Sequence, residues 1–389
     1  MGYYSVLPFF GVLGLALLLA GSKPFSALDA GLARHNLGPL DGLRGFLALG
    51  VFGHHLALTI GWLQRGVWVA PDTFLYTYFG HGCVAMFFMI TAYLFWGRLV
   101  DGDGTLPWKR FYLGRLFRIA PLYLLAIVLL LAAAFAKTGF LPKESPAQLL
   151  RECGTWLSLG IPADRPDVNG LRLTWQLMAG VTWSLHYEWW FYFALPLFAP
   201  FARRGRHMAF AVAGLGGTAL AWFFTKSDLA ACAGLFFAGM LIASASRLSP
   251  RWDWTHPAWS AAGLAALGLP PLAYPFADSP FPSLCLTFFV FLVVQGNSLF
   301  GVLTWKAARR LGVASYSLYL LHGLVITAVL ALPGLRALAM RGPLQYWALG
   351  LAMTLVLVTV ASLTFFWVER PGMAWGARMA PKPGPKPRT

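Results

Sequence analysis

The stretch LDGLRGFLALGVFGHH, residues 40–55, decides the fold class and points to a site. It is apolar enough to lie in a membrane, yet it carries Arg44 and His55 eleven positions apart. Eleven positions are about 1100° of helical rotation, so both side chains leave a helix on nearly the same face. The rise between them is roughly 16 Å, about half of a hydrocarbon core. With Arg44 at one membrane surface, His55 lies near the midplane. An ionisable side chain there is a functional-site hypothesis by default. Chemistry and transport inside the membrane are both open at this point.

The rest of the chain supports a membrane setting. Of 389 residues, 58% are hydrophobic and only 11% charged, with mean hydropathy +0.64; an ordinary soluble domain carries roughly 25% charge. Runs of spanning length fall near 4–21, 43–62, 74–97, 112–135, 183–201, 208–225, 229–246, 257–274, 282–303, 311–332 and 344–367. They predict eleven transmembrane helices. The run at 257–274 is diluted by Gly and Pro. No Lys or Arg precedes the first run, and Lys23 follows it, the reverse of a signal peptide. It reads as a retained helix with its N-terminus outside.

The net charge of +16 does not indicate nucleic acid, because the basic residues sit in short connections between apolar runs. Stretches 22–44, 98–118, 202–207, 247–256 and 304–310, with the segment from 370, hold 21 of the 30 Lys and Arg. That side is expected to be cytoplasmic, with the C-terminus inside. The last residues, PKPGPKPRT, read as a disordered basic tail, available to lipid headgroups. The one long connection, 136–182, mixes acids, bases and Pro and is expected to be a partly ordered cover on the outer face. Cys83, Cys153, Cys232 and Cys285 are scattered and imply neither a disulfide framework nor a metal site.

Further polar groups stand out at membrane depth. Glu188, in TWSLHYEWWFY (182–192), is either half of a structural pair or the orienter and proton partner of a histidine. His186, two residues away, points elsewhere and reads as an interfacial hydrogen-bonding group. In KRFYLGRLFRIAPLY (109–123), Arg115 and Arg118 share a face and suit an anion such as phosphate, although a positive-inside cluster explains them too. Pro121 follows, where a broken turn would free backbone groups for a ligand. His322, in LGVASYSLYLLHG (311–323), reaches about the depth of His55 when counted outward from 311. His54 faces about 100° away from His55 and reads as a supporting group, and His81 can reach an outer mouth. No ligand spacing for a metal is present.

Taken in order, these motifs resemble the acyltransferase-3 family of integral membrane acyltransferases. LDGLRG…H is similar to its opening helix, RLFRIAPLY to its RxxRI-x-P helix, and WSLHYEWWFY to its W-S-L-x-x-E-x-x-F-Y segment. SYSLYLLH and VERP (368–371) are similar to its last two helices. The resemblance covers about 40 to the low 370s. It departs at GCVAMFFMITAYLF (82–95), where Thr91–Ala92 stands in place of Ser–Gly, and in having a helix ahead of the opening motif.

The resemblance implies an all-α polytopic transmembrane bundle, with a ten-helix core plus one extra N-terminal helix. The division is 1–38 for the extra helix and linker, 39–373 for the acyltransferase domain and 374–389 for the tail. It implies transfer of an acyl group, acetyl first, from cytoplasmic acetyl-CoA or another acyl-CoA to a hydroxyl of a cell-surface polysaccharide or glycolipid. It places the protein in the cell inner membrane, with no permanently bound cofactor. His55, Glu188 and His322 would act in transfer, and Arg44, Arg115, Arg118 and Tyr319 would bind the donor. The rival reading is a proton-coupled transporter or lipid-linked glycan flippase using the same buried groups without covalent chemistry.

Overall fold

A computed structural model describes residues 2–32, 37–71, 73–248, 252–277 and 279–380. Sixteen α-helices occupy them: α1 Leu7–Gly21, α2 Asp29–Leu32, α3 Pro39–Arg65, α4 Phe74–Asp101, α5 Trp108–Lys137 and α6 Pro146–Leu157 come first. Then follow α7 Trp183–Phe198, α8 His207–Thr225, α9 Asp228–Leu248, α10 Pro257–Gly268 and α11 Pro280–Val294. The chain closes with α12 Lys306–Val313, α13 Ser315–Leu330, α14 Pro333–Ala339, α15 Pro343–Thr364 and α16 Arg370–Met379. The β pairing among the described residues is one isolated bridge, Val168 to Leu171. This is an all-helical, polytopic membrane bundle.

A helix lies on each of the eleven apolar runs, but not all are long enough to cross alone. Six pass by length and composition, or up to eight if the bent pairs α1 with Lys23–Leu32 and α12 with α13 count as spans. The helices α7, α10 and α11 have 16, 12 and 15 residues. Pro270 and Pro271 end α10 early by removing backbone donors. The run from 311 is not one helix either. It bends by 71° between α12 and α13, and the amphipathic α12 crosses the start of α3. Gly312 and Gly45 permit that crossing, since a Cβ on Gly312 would strike the Asp41 carbonyl and one on Gly45 the Ala308 carbonyl.

The centre of the bundle is α3. Its most apolar window is 78% buried against 6% for α8, which therefore faces lipid. Pro39 in the first turn starts α3, and Gly66, in the left-handed region at φ 74°, ends it. Arg310, 3% exposed, binds α1 to this core. It donates to the carbonyls of Ala20, Gly21 and Ser22 and grips Asp29 through both oxygens at 2.7 and 2.8 Å. An arginine at a helix C-terminus satisfies carbonyls that have no partner within the helix.

The 136–182 segment is ordered around Asn169. Its amide donates to Thr138 Oγ1 and the Leu141 carbonyl, its Oδ1 accepts from Lys143 N–H, and its own N–H goes to buried Glu152. His186 Nδ1 donates to the Ile161 carbonyl at 2.6 Å, which fits the interfacial role expected of it. This network carries Asp164, Arg165, Trp175 and Ala179 over the C-terminal end of α3.

Helix extends into the start of the segment read as the tail. The last span passes through a π-turn, Phe365–Glu369, and continues as α16. Gly372 and Gly376 leave a flat face that seats on Pro121 and Phe117 of α5. That packing orders a stretch whose composition alone is weakly helical. Residues 381–389 of the expected tail lie outside the described residues.

Candidate active site

His55 from α3 and His322 from α13 meet: His322 Nε2 lies 2.9 Å from His55 Nδ1, with ring centroids 4.8 Å apart. The backbone fixes the protons. His55 Nδ1 is 3.0 Å from the Val51 carbonyl, and His322 Nδ1 is 3.3 Å from the Leu318 carbonyl. Carbonyls only accept, so each Nδ1 carries the hydrogen. His322 Nε2 is then the acceptor for His55 Nδ1–H, and His55 Nε2 keeps its lone pair. His322 is sealed at 0% exposure. His55 is only partly buried and opens into a cavity of about 440 Å³.

That cavity is walled by Trp68, Trp175 and Trp183, with His54, Asp164 and Arg165 as its polar groups. Trp68 stands edge-on to Trp175 at 5.9 Å and lies 6.5 Å from the His55 ring. His54 lines the same cavity despite its different helical face. The covering segment wraps around the end of α3, so both faces meet one space. His81 packs on Phe276 at 4.9 Å and is not part of this wall.

A second cavity, about 510 Å³, lies toward the opposite end of α3. Arg44, Arg98, Arg110, Arg115 and Arg118 line it, against the acids Asp41 and Glu188. Arg98 and Arg115 flank one ring, Phe95, at 5.5 and 4.7 Å. The Tyr192 hydroxyl donates to Glu188, one helical turn away, and also meets Arg115. Glu188 therefore belongs with the arginines. It is not placed as the orienter of a histidine, and His322 occupies that position beside His55.

Arg118 is paired with Glu369, which is fully buried and also accepts from the Ser317 hydroxyl. Its guanidinium lies over the Tyr316 ring at 5.5 Å. Pro121 does not break α5, which runs unbroken from Trp108 to Lys137. The turn stays helical, the proline gives the Phe117 carbonyl no N–H, and its ring packs against Gly372. Tyr319 presents its ring to the arginine cavity, while its hydroxyl is committed to the Val181 carbonyl at 3.0 Å and Ser184 at 2.9 Å.

The two cavities share no lining residue. Aromatic rings divide them. Phe88, on the arginine side, stands edge-on to Trp183 at 6.1 Å, and Tyr319 lies 6.2 Å from His322. Sequence reasoning missed Glu369, Arg98, Arg110 and the tryptophan wall. An isolated acid in a terminal apolar run was a usable signal for Glu369. The tryptophans come from separate loops and gave none.

A family model described as an acyltransferase domain matches residues 38–365. The chain belongs to the acyltransferase-3 family. No curated protein and no solved structure matches it. Membership makes it a membrane acyltransferase. The acyltransferase-3 match begins at the turn before α3 and ends at Phe365. It includes both histidines and the five cavity arginines, and it leaves out α1 and Glu369.

Proposed function

We propose that this acyltransferase moves an acyl group, acetyl first, from cytoplasmic acyl-CoA to a hydroxyl of a cell-surface polysaccharide or glycolipid. The observation that carries this reading is the pair of cavities on either side of His55–His322, one rich in arginine and the other rich in tryptophan. CoA is polyanionic at its nucleotide end and thin at its thioester end. Arg44, Arg115 and Arg118, with Arg98 and Arg110 at the mouth, suit its phosphates. Displacement of the Phe88–Trp183 partition would let the pantetheine arm reach His55. Indole faces and the Asp164–Arg165 pair on the far side suit a ring bearing hydroxyls.

His55 Nε2 takes the hydroxyl proton while the oxygen attacks the thioester carbonyl. The carbon–sulfur bond then breaks, and the CoA sulfur recovers that proton. His322 holds the His55 tautomer throughout. Transfer through an acyl-His55 intermediate uses the same geometry. The positive-inside pattern puts the arginine cavity on the cytoplasmic side of the inner membrane, with the N-terminus outside, the C-terminus inside and eleven spans in total.

The reading is tested by reconstituting the protein in vesicles with labelled acetyl-CoA and membrane glycolipids. Label should pass to the glycolipid fraction. Solute flux without acetyl-CoA, and no label transfer, would replace the enzyme with a transporter.

Arg44→Ala and Arg115→Ala should each weaken acyl-CoA binding about ten- to hundredfold, the value of a lost charge-assisted contact of roughly 1.5–3 kcal/mol. Arg115→Lys should rescue poorly, because an ammonium lacks the planar fork. Dissociation constants on folded protein check this. Unchanged donor affinity would leave these arginines with a topological role only.

A further inference from the structure

Helix α1 lies ahead of the acyltransferase-3 match, yet it forms part of the wall behind the histidines. Phe9, 5% exposed, fills the space in front of Gly53, where an added methyl group would overlap its ring. Gly53 immediately precedes His54 and His55. The Phe9 ring also lies 5.0 Å from Phe79 and edge-on to Tyr76 at 6.3 Å.

Tyr76 links this contact to the histidines at both of its ends. Its hydroxyl donates to the Ser5 carbonyl at 2.9 Å, and its own carbonyl accepts from His54 Nδ1 at 2.8 Å. His54 in turn stands edge-on to His55, with centroids 4.8 Å apart. On its other side His54 is closed in by Gly80, where no Cβ fits. Trp347 stacks on Tyr76 and donates to the Tyr3 carbonyl, which ties the same N-terminal segment to α15.

This support answers a local weakness. Gly50 and Gly53 fall within one turn just before the histidines, and glycine weakens a helix interior relative to alanine. The 2.9 Å contact between His55 and His322 tolerates little drift. A misplacement of about 1 Å can cost on the order of a hundredfold in rate.

We propose that Ser5 and Phe9, outside the family domain, act through Tyr76 as a positioning element that keeps the His54–His55 turn in register with His322. Phe9 and Tyr76 are positioning residues, not groups that touch substrate. The proposal rests on His55 as the transfer residue.

The test uses the full chain in lipid, with Phe9→Ala, Phe9→Leu, Tyr76→Phe and a control, Val12→Ala. Val12 is a buried residue of the same helix without these contacts. Phe9→Ala should lower kcat at least about tenfold, within the range a misplaced group produces, with acyl-CoA affinity unchanged. Phe9→Leu should recover most of that loss, and Tyr76→Phe should act in the same direction. Val12→Ala should lower thermal stability but keep kcat.

A second readout needs no activity. Diethyl pyrocarbonate should modify His55 faster in Phe9→Ala than in wild type or Val12→Ala, as quantified by mass spectrometry. Wild-type kcat and wild-type labelling in Phe9→Ala would overturn the proposal. So would an equal kcat loss in Val12→Ala. Faster labelling in a protein whose wild type transfers no acyl group would keep the positioning element and sink the transfer reading alone.

Discussion

His55→Ala should lower the single-turnover rate of acyl transfer by roughly 10²–10⁴, the range for loss of a general base. Acyl-CoA affinity should stay at the wild-type value, because His55 is not in the wall of the arginine cavity. The pairing with His322 sharpens the expectation. His322→Ala removes one of the two acceptors of His55 Nδ1–H, leaving the Val51 carbonyl alone to hold the ring, so it should also be severely slow. His54→Ala should be milder, since its Nδ1 is held by the Tyr76 carbonyl and it makes no bond to His322. Rapid-quench measurements at saturating donor and acceptor check all three. A wild-type chemical step in His55→Ala would remove this residue from the mechanism. A brief reaction with labelled acyl-CoA, followed by peptide analysis, separates the two routes: label on His55 marks the covalent one.

The second large effect is on stability. Glu369→Ala should destabilise the fold by roughly 3–5 kcal/mol, because it leaves the Arg118 guanidinium without its counter-ion in a low-dielectric site. It also strips the Ser317 hydroxyl of its acceptor. The double variant Glu369→Leu with Arg118→Met should recover most of this loss, since well-packed apolar residues often replace a buried ion pair at little cost. Thermal unfolding of the purified protein in detergent or nanodiscs gives the order. A Glu369→Ala protein as stable as wild type would show that the pair holds nothing together. Donor affinity of the double variant then reports how much Arg118 adds to the anion site beyond its role in the fold.

The legible part of the site lay along single helices. Arg44 and His55 are on one helix, so a count of residues and a rise per residue placed one at each cavity. Arg115 and Tyr319 reached the arginine cavity for the same reason. His322 was found by depth, which is also a count along one helix. Glu188 was singled out as a carboxylate inside an apolar run, but its partner was not. Depth says how far a group lies along the membrane normal. It does not say which neighbour stands beside it, and Tyr192 and Arg115 hold Glu188 one cavity away from the histidines.

What the sequence by itself determined is therefore the class of molecule and the inventory of polar groups. Hydropathy and charge placement are local properties, and they require helices in lipid with their basic ends on one side. Only the tertiary structure decided the pairings: His55 with His322, Arg118 with Glu369, Phe9 with Gly53, and α16 on α5. Each depends on which two helices cross, at what angle and at which small residue. A crossing such as that at Gly45 and Gly312 allows backbones to meet because side chains are missing from both, and that complementarity is spread over residues 267 positions apart. An apolar run from 311 to 332 looks continuous in composition, but the chain turns where it must pass over the start of α3.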